Sequence, residues 1–170
     1  MADVTTARDP AVQELLDKQA IREATMRYCR GVDRCDPELV NSAFHPDARD
    51  EHPGGKYTGE TVGPGMVKSL QETMESTNHQ ITTQVIEVYG DTAACESYST
   101  GSHVLKDGRR LHTLVRYVDR FERRAGEWKI IHRLVISDAT EVLPPFEGPQ
   151  LGPPSLARRD KSDPSYGVFA

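Results

Sequence analysis

Between Thr77 and Ala139 the chain holds four runs with strand-forming Thr, Val, Ile and aromatic residues, separated by three short turn signals. The turns are Gly90-Asp91, Asp107-Gly108 and Ala125-Gly126. Asp-Gly is the strongest of them, because both residues tolerate the left-handed backbone that a tight hairpin connection requires. Strands are therefore predicted over Thr77–Tyr89, Thr92–Leu105, Arg109–Arg123 and Glu127–Ala139, laid out as a four-strand antiparallel meander.

A different period precedes them. From Ala11 to Asp33, with Ile21 as reference, Ala24, Thr25, Tyr28 and Val32 fall within roughly 60° of it at about 100° per residue. That single apolar stripe predicts a long helix, begun by Leu15 and Leu16 and weakened at its end by Gly31. Asp36-Pro37-Glu38 then reads as a fresh helix start, with Asp as N-cap and Pro in the first turn. This second helix is expected to reach Phe44, where His45-Pro46 stops it. Gly54-Gly55 marks a hairpin between short polar strands, and a third helix is expected from Glu60 to Ser76. Helices first and strands after them make an α+β domain over residues 11–140. Residues 1–10 read as a frayed lead-in, with His45 and His52 in loops. Residues 141–170 read as a tail in which Pro144, Pro145, Pro149, Pro153, Pro154 and Pro164 forbid regular structure, wrapping the domain or a neighbour.

Composition narrows the functional classes. Of 170 residues, 21 are Lys or Arg and 26 are Asp or Glu, a net charge of -5 that argues against nucleic acid or an anionic membrane as partner. No apolar run is long enough for a membrane span, and the N-terminus lacks a signal-peptide pattern, so a cytoplasmic location is the expectation. The three cysteines, Cys29, Cys35 and Cys95, form no C-x-x-C pair and favour neither disulfides nor a zinc ribbon. The segment from His45 to His52 is rich in metal-ligand side chains but lacks a ligand spacing such as H-E-x-x-H, so no metal is expected. Glycine-rich nucleotide loops and a Gly-x-Ser-x-Gly elbow are also missing from the chain, and no cofactor is expected.

Four residues stand out chemically. Asp33 ends the first helix, where a negative charge opposes the helix dipole, and Asp36 already serves as the next cap. At about 120° from Ile21 it sits at the margin of the apolar stripe, and a histidine is its natural partner. A lone strand histidine is commonly structural. His79, however, opens a strand directly after a helix, where an inward side chain lines the mouth of a sheet. Held by a buried carboxylate, its imidazole suits a general base near neutral pH. Tyr28 lies near the core face of the same helix, either as packing or as a phenol able to protonate a leaving oxygen. Arg133 alternates with Ile131 and Val135 on one strand face, so it must either pair with a carboxylate or meet the substrate.

The run Arg27-Tyr28-Cys29-Arg30-Gly31-Val32-Asp33, followed by Phe44-His45-Pro46-Asp47-Ala48, resembles the opening of the SnoaL-like branch of the nuclear-transport-factor-like superfamily. Tyr117-Val118-Asp119-Arg120-Phe121, Gly126-Glu127-Trp128-Lys129-Ile130 and His132-Arg133 resemble that branch's last two strands. The resemblance implies a curved antiparallel sheet wrapped around the helices, forming a cone with one apolar pocket. Branch members that dehydrate scytalone or bile acids, or dehydrochlorinate hexachlorocyclohexane, share an Asp–His pair, and Asp33 and His79 occupy its two places here. Arg133 matches an Arg of the dehydrochlorinase, and His103 stands near a second His of scytalone dehydratase. Tyr28 replaces the dehydrochlorinase's Lys but matches a Tyr of the bile-acid enzyme, which favours an oxygen leaving group over chloride. The expectation is a cofactor-independent, dehydratase-like lyase acting on a steroid-like, aromatic or terpenoid molecule. His103, Tyr117, Val135 and Phe146 would line its pocket, and a homotrimer or homodimer is implied. The same base would equally serve a double-bond isomerase, a polyketide cyclase or a dehydrochlorinase. A carrier or an oxygenase small-subunit scaffold would need none of these groups.

Overall fold

Asp9 opens the first helix by accepting a hydrogen bond from the Ala11 amide (2.8 Å), and Pro10 fills the first helical position, where its missing N–H costs nothing. A computed structural model describes residues 9–53, 55–147 and 156–169. In it α1 runs Pro10–Asp33 and buries Ile21, Ala24, Thr25, Tyr28 and Val32, the stripe expected from the periodicity. Eight of the ten residues read as a frayed lead-in, 1–8, lie outside the described residues, while Asp9 and Pro10 belong to the helix start. Gly31 is required by close packing, since a Cβ there would sit 2.7 Å from the backbone nitrogen and Cγ2 of Val40 in α2, Pro37–Asn41.

The second helix is shorter than expected. It ends at Asn41, and Phe44, only 2% exposed, instead begins a strand, β1, Phe44–His52. His45 and His52 are thus strand residues, not loop residues. β2 (Gly55–Thr58) returns antiparallel to β1, completing the Gly54-Gly55 hairpin, whose Gly54 lies outside the described residues. The third helix, α3, is confined to Val62–Thr73, because Met74–Thr77 is drawn into pairing with the strand opposite. The meander follows as β3 (Met74–Tyr89), β4 (Thr92–Leu105), β5 (Arg110–Arg124) and β6 (Glu127–Leu143). β6 outruns its expected end at Ala139, since Thr140–Leu143 continues to pair with Arg110–Thr113.

The sheet has six strands in the order β2-β1-β6-β5-β4-β3, and the β1–β6 contact is parallel. Register shifts at Ile81/Thr83, Leu114/Val115 and Arg120/Phe121 bend the strands, as β-bulges do, so the sheet curls around α1. Its concave side buries Tyr28, Phe44, Phe121, Trp128 and Ile130. The Trp128 indole N–H donates to Asp17 (2.9 Å), which also receives Arg123 (2.9 Å), so the inward polar groups at this end are satisfied.

Residues 156–169 fold back onto the helices. The Tyr166 hydroxyl donates to Asp36 (2.7 Å), Arg159 donates to the Met74 carbonyl (2.7 Å), and Arg30 lies 4.8 Å from the ring centres of Tyr166 and Phe169. The tail is not wholly irregular: Pro164–Gly167 is a 3-10 turn with Pro at its start. Pro149, Pro153 and Pro154 lie outside the described residues. Among the described residues no helix is long and apolar enough to cross a membrane.

Candidate active site

The concave face of the sheet, together with α1 and α3, encloses a cavity of about 310 Å³. Met66, Met74, Leu111, Val115 and Val135 make its wall largely apolar, and Tyr28, Tyr117, His52, His79 and His103 are the ring-bearing polar groups on it. This combination, a greasy wall with a few convergent polar groups, is the usual form of a small-molecule site.

Asp33 is the last residue of α1, and it grips His79 twice. Its Oδ1 lies 2.7 Å from His79 Nδ1, and its Oδ2 accepts the His79 backbone N–H at 2.9 Å. Burial pushes the Asp33 carboxyl up, but the hydrogen bond and charge of His79 outweigh it and hold the group below the ordinary carboxylate value. With Nδ1 bound to the carboxylate, the imidazole is held in one orientation, and Nε2 is the remaining nitrogen of a ring that lines the cavity. The C-terminal segment closes the outer side of this pair, where Asp163 and Ser165 share a groove with Asp33 and His79.

The His103 ring stands 4.9 Å from that of His79, and its Nδ1 is buried without a protein partner. Burial, reinforced by the neighbouring His79, pushes His103 down to about 4, so it faces the cavity uncharged at neutral pH. Burial likewise drives the hydroxyls of Tyr28 and Tyr117 upward, keeping both as phenols. Cys29 is pushed up to about 12 and Cys95 to about 11 by burial, so neither is a thiolate nucleophile at neutral pH.

Asp33, His79, Tyr28, His103, Tyr117 and Val135 are thus brought to one place. Two expected members are not. Arg133 is completely buried, with Nε and Nη2 donating to the two oxygens of Asp119 (2.8 and 2.7 Å). Of its two anticipated roles it takes the carboxylate partner, because a guanidinium without solvent must be paired. It lies 4.3 Å from the ring centres of both Tyr28 and Tyr117, one layer behind the cavity wall. Phe146 is 73% exposed and stacks on Arg110 (4.3 Å), outside the cavity altogether. Beyond Leu143, the last residue of β6, the chain passes Arg110, and Phe146 packs on that guanidinium instead of the cavity wall.

Among the ring-bearing polar groups of the cavity, His52 escaped the sequence analysis, which placed it in a loop. His52 Nε2 lies 2.9 Å from the Tyr28 hydroxyl, and its Nδ1 lies 2.6 Å from Oδ2 of Asp50, a residue 1% exposed. The available signal was the spacing Asp50-x-His52, which places both side chains on one face of a strand. Among the described residues no group of three or more His, Cys, Asp or Glu side chains converges as metal ligands would.

A curled sheet over N-terminal helices, with its polar groups converging on one hollow, defines an α+β protein of the nuclear-transport-factor-like class. The model of the SnoaL-like domain matches residues 13–134, most of the chain, and the protein belongs to that family. No curated protein matches the chain at a significant level. Among solved structures it is similar to a hexachlorocyclohexane dehydrochlorinase, LinA type 2, with 21% identity and a TM-score of 0.76 over 84% of this chain and 99% of that one. It is also similar to a protein assigned as a scytalone dehydratase from Novosphingobium aromaticivorans, with 19% identity and a TM-score of 0.70 over 82% of this chain and 99% of that one. A nuclear transport factor 2-like protein from Salmonella enterica shares 24% identity and a TM-score of 0.63 over 82% of this chain and 99% of that one. At these identities the likeness shows the fold.

Proposed function

We propose that the protein is a cofactor-independent lyase of the dehydratase type, in which His79 abstracts a C–H proton and an oxygen leaving group departs from the adjacent carbon. The observation that carries this reading is the doubly anchored Asp33–His79 pair at 2.7 and 2.9 Å beside an apolar cavity. Asp33 orients the ring and stabilises the imidazolium that forms when Nε2 accepts the proton. The electron pair left on carbon becomes the new C–C π bond as the C–O bond breaks. The departing oxygen takes a proton from the Tyr28 phenol and leaves as water. Chloride departs as a stable anion and needs no such donor, so the hydrogen-bonded chain on Tyr28 favours oxygen. A volume of about 310 Å³ lies at the small end of ligand sites and suits an aromatic or terpenoid molecule with one or two rings, acidified by a carbonyl.

The test is incubation with β-hydroxy ketones of this size, following the conjugated enone by its absorbance. His79→Ala and Asp33→Asn should each lower turnover by about 10²–10⁴-fold while remaining folded by circular dichroism. Wild-type turnover in either folded variant refutes the mechanism.

A further inference from the structure

The cavity is served by two Asp–His pairs, and only the first has a role in proton abstraction. In the second, Asp50 and His52 lie 2.6 Å apart, and His52 reaches on to the Tyr28 hydroxyl at 2.9 Å. We propose that Asp50, His52 and Tyr28 form a proton relay on the acid side of the reaction, with His52 setting whether Tyr28 can donate into the cavity. Its chemical role rests on the elimination reading above.

Hydrogen-bond direction makes the argument. With His52 neutral and Nδ1–H donating to Asp50, Nε2 has only a lone pair, so the Tyr28 O–H must donate to it. The phenol oxygen can then only accept from a ligand. With His52 protonated, Nε2–H donates to the Tyr28 oxygen, and the phenol hydrogen turns to the cavity. Only the imidazolium form makes Tyr28 an acid toward the leaving group.

Buried charge supports that form. Asp50 and Arg133 are Cα partners on the neighbouring parallel strands β1 and β6, and each keeps one buried atom, Oδ1 and Nη1, without a protein partner. Arg133 is already committed to both oxygens of Asp119. Asp50 is thus a buried carboxylate with no ion-pair partner beyond His52 among the described residues, and a proton on His52 would supply its positive charge. The other groups facing His52 are Tyr28 on α1, Tyr117 on β5 with its ring centre 6.5 Å away, and Arg133 behind those two rings. His79 and His103 stand elsewhere on the cavity wall, α3 contributes uncharged Met66, and β2 pairs Gly55 opposite His52. Glu51, between Asp50 and His52 on the strand, instead meets Lys56 (2.9 Å) and His132 (3.1 Å).

The proton count closes. The carbon proton goes to His79, the Tyr28 proton goes to the leaving oxygen, and the His52 proton refills Tyr28. Each turnover leaves His79 charged and His52 neutral, and water in the opened cavity carries one proton between them to reset the site.

Two measurements test this on the full chain. In the first, histidine-labelled ¹⁵N and tyrosine-labelled ¹³C NMR follow His52 and Tyr28 from about pH 5 to about pH 9, the range over which histidines switch charge. The expected result is that both ring nitrogens of His52 and the Tyr28 ring move together through one transition, and that Asp50→Asn shifts its midpoint downward. A His52 that keeps one protonation state throughout, or titrates with no response from Tyr28, overturns the relay. The second uses the β-hydroxy ketone formed by aldol addition of acetone to benzaldehyde, in D₂O. Deuterium entry beside the carbonyl reports the base, and release of benzalacetone reports the complete elimination. His52→Gln should lose elimination by about 100-fold while deuterium entry falls far less, whereas His79→Ala should lose both. Unchanged elimination in His52→Gln overturns the relay. A wild-type protein that incorporates no deuterium contradicts the base reading instead, and the NMR result then decides the relay alone.

Discussion

His103 makes the protein's acid sensitivity calculable. The residue is 7% exposed, its Nδ1 has no protein partner, and its ring lies 4.9 Å from that of His79. Glycine at position 101 leaves the ring room: a Cβ there would come 2.4 Å from Thr113 Oγ1 and 2.5 Å from His103 Nε2. Burial, and then the charge of His79, lower its pKa from 6.5 to about 4 in the fold. Between those values the unfolded chain binds the proton and the folded chain refuses it, so stability must fall as pH drops through this window. The full shift corresponds to ~3 kcal/mol, of which about 2 kcal/mol is already lost at pH near 4.5. For a chain of this size that is roughly 4–8 °C in melting temperature. Asp33 acts with the same sign but lower on the scale, because its carboxyl starts at 3.8 and is lowered further. The assay is urea denaturation of wild type and His103→Phe at about pH 7 and about pH 4.5. Wild type should lose about 2 kcal/mol more than the variant between the two conditions. Parallel losses in the two proteins would show that His103 does not titrate this way, and the reasoning from burial would fail.

Two further outcomes follow from the corrected positions of Arg133 and Phe146. Arg133→Met leaves Asp119 charged and unpaired in the interior and should cost about 3–5 kcal/mol in urea unfolding, much of it recovered in the double variant Arg133→Met/Asp119→Leu. Equal stability of the single and double variants contradicts this account of the pair. Phe146→Ala, at a position 73% exposed, should change stability by no more than about 0.5 kcal/mol and leave enone formation unchanged. A clear drop in turnover would return Phe146 to the pocket.

The legible parts of the fold were those written in neighbouring residues. The three hairpin turns fall where the dipeptides predicted, with positive φ at Gly90 (64°), Gly108 (86°) and Gly126 (84°). Helical phase placed Tyr28 on the core face of α1 and Asp33 at its margin; His79, expected to open a strand, lies within β3, five residues past its start at Met74. The parallel pairing of β1 with β6 has no such local mark, since Arg49 and His132 meet only after the whole meander has formed. Without that contact Asp50 is not visible beside Arg133, whereas the carboxylate that Arg133 does pair with, Asp119, lies directly opposite on β5 across the predicted Ala125-Gly126 hairpin.

The hiding of His52 has a more specific cause. β1 does alternate from Ala48 onward, with Ala48 and Asp50 buried and Asp47 and Arg49 exposed. A hydropathy pattern registers alternation only when the inward residues are apolar, and here the inward positions after Ala48 are Asp50 and His52, so the stretch reads as a charged loop. Those two residues can face inward because they hold each other and reach α1: His52 Nδ1 lies 2.6 Å from Asp50 Oδ2, and its Nε2 meets the Tyr28 hydroxyl. The strand therefore breaks the local rule where the interior holds hydrogen-bonded ionisable groups, a departure expected at functional sites rather than in plain cores. The same logic separates the two histidine pairs. Asp33–His79 joins a helix end to a strand that follows a helix, and Asp33 shows in sequence as a boundary residue, whereas Asp50–His52 is one strand's inner face and becomes visible only once its partners are in place.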